Sequence, residues 1–175
     1  MPATRQATRD DLMAMLASLG IATATVEHPP LFTVADAQAH RGEIQGAHTK
    51  NLFLKDKKDA LFLVVAPEDA AIDLKQFHHV VGASSRLSFG KPELLLETLG
   101  VTPGAVTAFA AINDTAGRIT VVLDRSLAES AFVNCHPLVN TATTTIAGAD
   151  LVRFLRATGH EPRVLAVAAP PQPRL

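Results

Sequence analysis

The chain has 175 residues, 47% hydrophobic and 19% charged, with a formal net charge of −1 and a pI of about 6.6. That composition supports one globular domain with a sizeable core and excludes broad, non-specific duplex binding, which needs a dense basic surface; a local contact with a nucleic-acid end stays open. The single cysteine, Cys135, excludes an intramolecular disulfide and predicts a reducing, cytoplasmic setting, and no run of apolar residues is long enough to predict a signal segment or membrane span.

In chain order, Thr8 caps a helix running to Gly20, with Asp10 and Asp11 in its first turn and Leu12, Met15, Leu16 and Leu19 as its apolar stripe. Ile21 to Val26 reads as a strand, His28-Pro-Pro30 breaks it, and Thr33 to His40 reads as a second helix. Gly42 and Gly46 bracket a loop. Residues 49 to 66 then form a hairpin around the polar turn Lys55 to Asp59, and the run Leu61 to Ala66 predicts burial on both faces. Asp73 caps a short helix to His79, and Pro92 opens another that ends before Gly100. Ala105 to Ile112, Ile119 to Leu123, Phe132 to Cys135 and Thr141 to Ile146 read as strands. Gly148 to Thr158 is a helix and Arg163 to Val167 a last strand. The order predicts one α+β domain over residues 1–167, followed by a proline-rich, frayed tail over 168–175.

Alternation along the first hairpin strand puts Lys50, Leu52 and Leu54 on one face and Asn51, Phe53 and Lys55 on the other. A lysine opening an apolar row has two readings: a strand-end side chain snorkelling into water, or a functional cation. No histidine pair has the spacing of a metal-ligand motif, and His78 and His79 diverge by about 100° on a helix. Cys135 and His136 are strand neighbours on opposite faces and form no dyad; Cys135 reads as core, and His136, before Pro137, stands where it can face a cleft. Gly100-Val-Thr-Pro-Gly104 can bring backbone N–H groups to an oxyanion or phosphate, as can Gly82 to Gly90 with its hydroxyls. A plain turn is the competing reading of each.

Together these segments carry a resemblance. His28-Pro-Pro30, Gly46 to Asp56, Ile72 to Lys75, His78-His79-Val80, Arg86 to Gly90, Leu96 to Gly104, Ile112-Asn-Asp114 and Asn134-Cys-His-Pro-Leu138 closely resemble the trans-editing deacylases related to the prolyl-tRNA synthetase insertion domain, the YbaK-like superfamily. Within it they most resemble the branch that clears alanine from proline tRNA (ProX, or ProXp-ala). The resemblance spans roughly residues 8 to 167 and implies a curved, mostly antiparallel mixed sheet flanked by helices. It implies hydrolysis of the ester between a wrong amino acid and the tRNA 3′-adenosine, without metal or cofactor. Lys50 becomes the essential lysine. Thr49, Asn51, Ser88 and His136 join the loop Gly104, Ala105, Val106 and Thr107 in lining the pocket, with Leu31, Phe32 and Val34 as candidate walls. Where the wider superfamily shows Gly-x-x-x-Pro, this loop ends in Ala108, a form expected of the alanine-specific branch.

The implied partner is the acceptor end of mischarged proline tRNA, with prolyl-tRNA synthetase or an elongation factor as a transient associate and no membrane. Lys50 could serve as a fixed ammonium or, with its pKa depressed, as a base; the ammonium is favoured because the resemblance implies help from the tRNA's own 2′-hydroxyl. Three rivals remain: the same chemistry on another mischarged species, such as cysteine on proline tRNA, a non-catalytic module binding the tRNA end, and a general hydrolase. The last is disfavoured because no nucleophile–base pair is present.

Overall fold

A computed structural model describes residues 6–30 and 44–168. The helix expected over 33–40, the candidate walls Leu31, Phe32 and Val34, and the tail beyond residue 168 lie outside the described residues. Helix α1 (Arg9–Ser18) begins with a reciprocal cap. The Asp11 N–H donates to Thr8 Oγ1 at 3.2 Å, and the Thr8 N–H donates to Asp11 Oδ2 at 2.8 Å. Two amides that the helix cannot bond are thereby satisfied. Leu12 and Leu16 are buried, with Met15 and Leu19 packed beside them, as the spacing predicts.

Among the described residues, eight strands form one sheet: β1 (Thr23–Glu27), β2 (Ala47–Lys55), β3 (Leu61–Pro67), β4 (Ser88–Phe89), β5 (Ile119–Asp124), β6 (Val133–Cys135), β7 (Ala142–Ile146) and β8 (Arg163–Leu165). Their order is β1-β7-β6-β2-β3-β5-β8, with β4 paired to β2. The pairs β1–β7, β6–β7, β2–β3 and β2–β4 are antiparallel, whereas β2–β6, β3–β5 and β5–β8 are parallel. The expected mixed, mostly antiparallel sheet is what forms. Helices α2 (Phe77–Val81), α3 (Pro92–Leu99), α4 (Arg125–Ala128) and α5 (Gly148–Ala157) flank it.

The β2–β3 hairpin turns where expected because Asp56 organises the turn. Its carboxylate accepts the Lys58 and Ala60 N–H groups at 2.9 Å each and the Ser84 hydroxyl at 3.0 Å. These bonds, led by that from Ala60, hold the carboxyl below its usual value against the opposing effect of burial. Every residue from Leu61 to Ala66 is buried. Leu61, Leu63 and Val65 enter the larger core with Phe109 and Phe154; Phe62, Val64 and Ala66 enter a smaller one with Phe77 and Leu87.

Three expectations need correction. Residues 105–112 are not a strand but parts of two 3-10 turns, Pro103–Ala105 and Ala108–Asn113. Thr107 Oγ1 accepts the Phe109 N–H at 3.3 Å, starting the second turn, and Ala108 to Ala111 are buried against α3 and α5. A short apolar run does not by itself separate a strand from a buried helical turn. Asp73 does not cap α2: it accepts the Lys75 N–H at 3.0 Å, and the helix starts at Phe77. The His78 and His79 rings do not diverge; their centroids lie 4.0 Å apart.

Gly148, at the start of α5, is a packing requirement. A Cβ there would sit 2.2 Å from Leu127 O and 2.7 Å from Ser130 O, both backbone atoms. Gly148→Ala is expected to destabilise the protein by about 1–3 kcal/mol, the usual cost of overpacking. A shift in the urea midpoint measures it, and an unchanged midpoint would refute the close approach.

Candidate active site

Alternation along β2 sends Leu52 and Leu54 into the smaller core and Phe53 into the larger. Lys50 lies on the side of Leu52, half-buried, opposite Ala66 of β3. Its Nζ is not simply carried into water: it donates to the Ala70 carbonyl. Among the described residues no carboxylate forms an ion pair with it. A carbonyl partner anchors the amine without neutralising its charge, and two further donors stay available on an ammonium.

Parallel pairing of β2 with β6 sets His48 beside Asn134. Two residues further along both chains, Lys50 and His136 therefore share one sheet face. The His136 ring is held by Nδ1, 3.0 Å from Ala142 O. A carbonyl only accepts, so Nδ1 carries the proton and Nε2 keeps its lone pair. Burial pushes this imidazole below its ordinary value; the Ala142 bond opposes that, and the neighbouring His28 lowers it further. The two rings meet edge-on with centroids 6.3 Å apart, and His28 Nε2 lies 2.7 Å from Thr143 Oγ1. A cavity of about 240 Å³ opens beside this face, lined by Ala47, His48, Pro67, Glu68 and Asp69.

The remaining expected site residues separate. Thr49 lies on the opposite face and its hydroxyl donates to Asn134 O at 2.8 Å, so it joins two strands. Asn51 also faces away from Lys50, and its Oδ1 is a buried acceptor with no hydrogen-bond partner among the described residues. In the glycine loop, Gly104 is exposed and Val106 half-buried, but Ala105 and Thr107 are buried. The Ala105 N–H already donates to Thr102 O at 2.9 Å, which removes it as an oxyanion donor. Ser88 is exposed on β4 opposite Lys55. Five residues of strand put it about 17 Å from the Lys50 position. There it borders a second cleft of about 550 Å³ whose lining includes Lys55, Lys57 and Arg86. Cys135 is core, as expected, and burial pushes its thiol up to about 12.

Sequence reasoning missed Thr143, Asn134 and Ala142 as supports. The β-branched run Thr143 to Ile146 marked a strand, and nothing in it told which hydroxyls would meet His28 and Asn134. Among the described residues no group of three or more His, Cys, Asp or Glu could hold a metal ion, and no helix is long and apolar enough to cross a membrane.

Residues 28–154 match the aminoacyl-tRNA editing domain, and the chain belongs to that family. Prolyl-tRNA synthetase associated domain-containing protein 1 of Danio rerio is 42% identical over 160 residues, covering 90% of this chain and 86% of the relative. The prolyl-tRNA editing protein ProX of Acetoanaerobium sticklandii is 35% identical over 150 residues, covering 85% of this chain and 91% of its own. A crystal structure provisionally described as a trans-editing enzyme for prolyl tRNA synthetase superposes with a TM-score of 0.70 at 20% identity, covering 95% of this chain and 100% of the other. At that identity the superposition shows the shared fold.

Proposed function

We propose that the protein is a trans-acting aminoacyl-tRNA deacylase that removes alanine mischarged onto proline tRNA. The observation that carries this reading is a half-buried Lys50, with no carboxylate partner among the described residues, on the same sheet face as a neutral His136. An aminoacyl ester is already activated, so the protein's task is to place water and stabilise charge. Water attacks the ester carbonyl, and the oxygen that gains negative charge is met by the Lys50 ammonium. Collapse breaks the bond to the ribose oxygen, releasing alanine and a tRNA with its hydroxyl restored. His136 Nε2 can accept a hydrogen from the attacking water or from the substrate's α-ammonium. The inert thiol of Cys135 argues against a covalent intermediate there.

The basic cleft beside Ser88 suits backbone phosphates of an acceptor stem, which position a nucleic acid without reading its bases. Discrimination is steric: a pocket sized for a methyl group rejects the proline ring, the logic of a second sieve. The relationship to ProX supports proline tRNA as the carrier, and the names of the other relatives support prolyl-tRNA synthetase as an associate. The cytoplasm is the corresponding place of action.

Proline tRNA charged in turn with alanine, cysteine and proline is the decisive substrate panel. Alanine release is expected, with prolyl-tRNA left intact. Equal release of all three would refute the sieve, and binding without release of any would make the protein a tRNA-end binding module.

A further inference from the structure

The sheet consists of two parts that meet along one short seam. β1, β7 and β6 form an antiparallel ribbon, and β2 carries the remaining strands. Among the described residues the parts are joined by two register pairs, Ala47 with Val133 and His48 with Asn134. Lys50 stands on one side of this seam and His136 on the other. A parallel ladder of two pairs is a weak determinant of register by itself.

Side-chain reinforcement of the seam converges on Asn134, which is 3% exposed. Its Nδ2 donates to Gln45 O at 3.0 Å and, at 3.4 Å, to Ala47 O, both at the start of the lysine strand. Its backbone carbonyl accepts the Thr49 hydroxyl at 2.8 Å, one residue before Lys50. From β7, Thr145 Oγ1 donates to Asn134 Oδ1 at 2.5 Å. The two carbonyls decide which end of the amide faces β2, because they only accept, and the Thr145 hydroxyl, donating from the other side, holds the oxygen end in place.

We propose that Asn134, oriented by Thr145, is a positioning residue that fixes the Lys50 strand against the His136 strand and so sets the spacing of the two groups. The inference rests on the deacylase reading for its catalytic consequence and on the seam's hydrogen bonds for its structural one. Asn134→Asp separates them. A carboxylate at this position keeps the Thr145 bond but has no hydrogen for Gln45 O. A protonated carboxyl regains one, and burial opposite carbonyls raises its pKa. The clamp should therefore be lost near neutrality and restored on acidification. Other titratable groups of this face, His28, His48, Lys50, Glu68 and His136, are common to both proteins, so the ratio of variant to wild type isolates position 134.

Two readouts apply: amide exchange at Ala47 to Thr49 without substrate, and steady-state hydrolysis of alanyl-proline tRNA corrected for folded fraction. At about pH 7.5, N134D should exchange faster at the seam and lose kcat on the order of tenfold to a hundredfold with KM little changed. The kcat ratio to wild type should recover toward about pH 5. Thr145→Val, one methyl for one hydroxyl, should reproduce the neutral-pH loss, and Thr145→Ser should restore activity. T145V also serves if N134D does not fold. Unchanged exchange in both variants overturns the clamp, whatever the activity. Faster exchange with wild-type kcat overturns its positioning role. If wild-type protein releases no amino acid, the deacylase reading fails with the catalytic part of this proposal, and exchange still decides the clamp.

Discussion

Lys50→Ala is expected to lower hydrolysis of alanyl-tRNA by about 10²–10³-fold, the usual consequence of removing one donor from a developing oxyanion. Lys50 is half-buried at the margin of the smaller core, belongs to neither core, and donates to the Ala70 carbonyl, so its removal leaves one acceptor unpaired and takes no side chain out of either core. The fold should survive, with circular dichroism and the thermal midpoint close to wild type. Lys50→Arg then separates the two mechanisms. A guanidinium is always charged, so it can stand in for a fixed cation and cannot act as a base near neutrality. Substantial activity in K50R would support the fixed charge. Complete loss in K50R, with substrate binding retained and a rate in the wild type that rises with a single ionisation, would support the base. Wild-type turnover in K50A would remove Lys50 from the mechanism.

Asp114→Ala should produce the largest loss of stability outside the cores. Asp114 and His160 side chains are 2% and 3% exposed and meet at 2.8 Å. Asp114 also accepts the Arg118 N–H at 3.0 Å and the Ile119 N–H at 2.9 Å, closing the turn that leads into β5. Truncation strands the buried Ile119 amide, the partly buried Arg118 amide and one imidazole nitrogen together. Each buried group left without its hydrogen bond costs about 1–3 kcal/mol, and for a chain of this size a thermal midpoint falls by about 2–4 °C per kcal/mol. A decrease of about 10 °C is expected by calorimetry. Adding His160→Leu to Asp114→Ala should cost less than the two single changes summed, because each removes the other's partner. A midpoint within a degree or two of wild type would refute the network's role.

The parts of the fold that follow from neighbouring residues are legible in the sequence. Thr8 and Asp11 form their cap at helical spacing, Pro92 and Gly100 bound α3, and the polar turn at Asp56 folds the hairpin back on itself. The site is less legible because it depends on which strands become neighbours. Nothing local in Ala47 to Lys55 announces that Val133 and Asn134 will lie alongside in parallel register. The resemblance grouped Ser88 with Lys50, yet β4 pairs at the far end of β2. Thr49 is next to Lys50 in the chain and, by alternation, on the other side of the sheet. The run from Ala105 to Ile112 had the composition of a strand, but its place between α3 and α5 offered no ladder to join.

Burial of Leu61 to Ala66 in β3 has a consequence for the order in which the protein assembles. Its partner β2 is a few residues away around a tight turn, whereas its other partner, β5, pairs Leu61 with Ile119 across α2, β4, α3 and both 3-10 turns. Closing the short loop costs far less chain entropy than closing the long one. The hairpin should therefore form before the β3–β5 pairing, and until β5 arrives it would expose an apolar edge in Leu61 to Ala66 that is competent to pair with another chain. Newly made or transiently opened protein should be most vulnerable to aggregation at that strand, whose last buried residue, Ala66, pairs with Lys50 in the finished sheet.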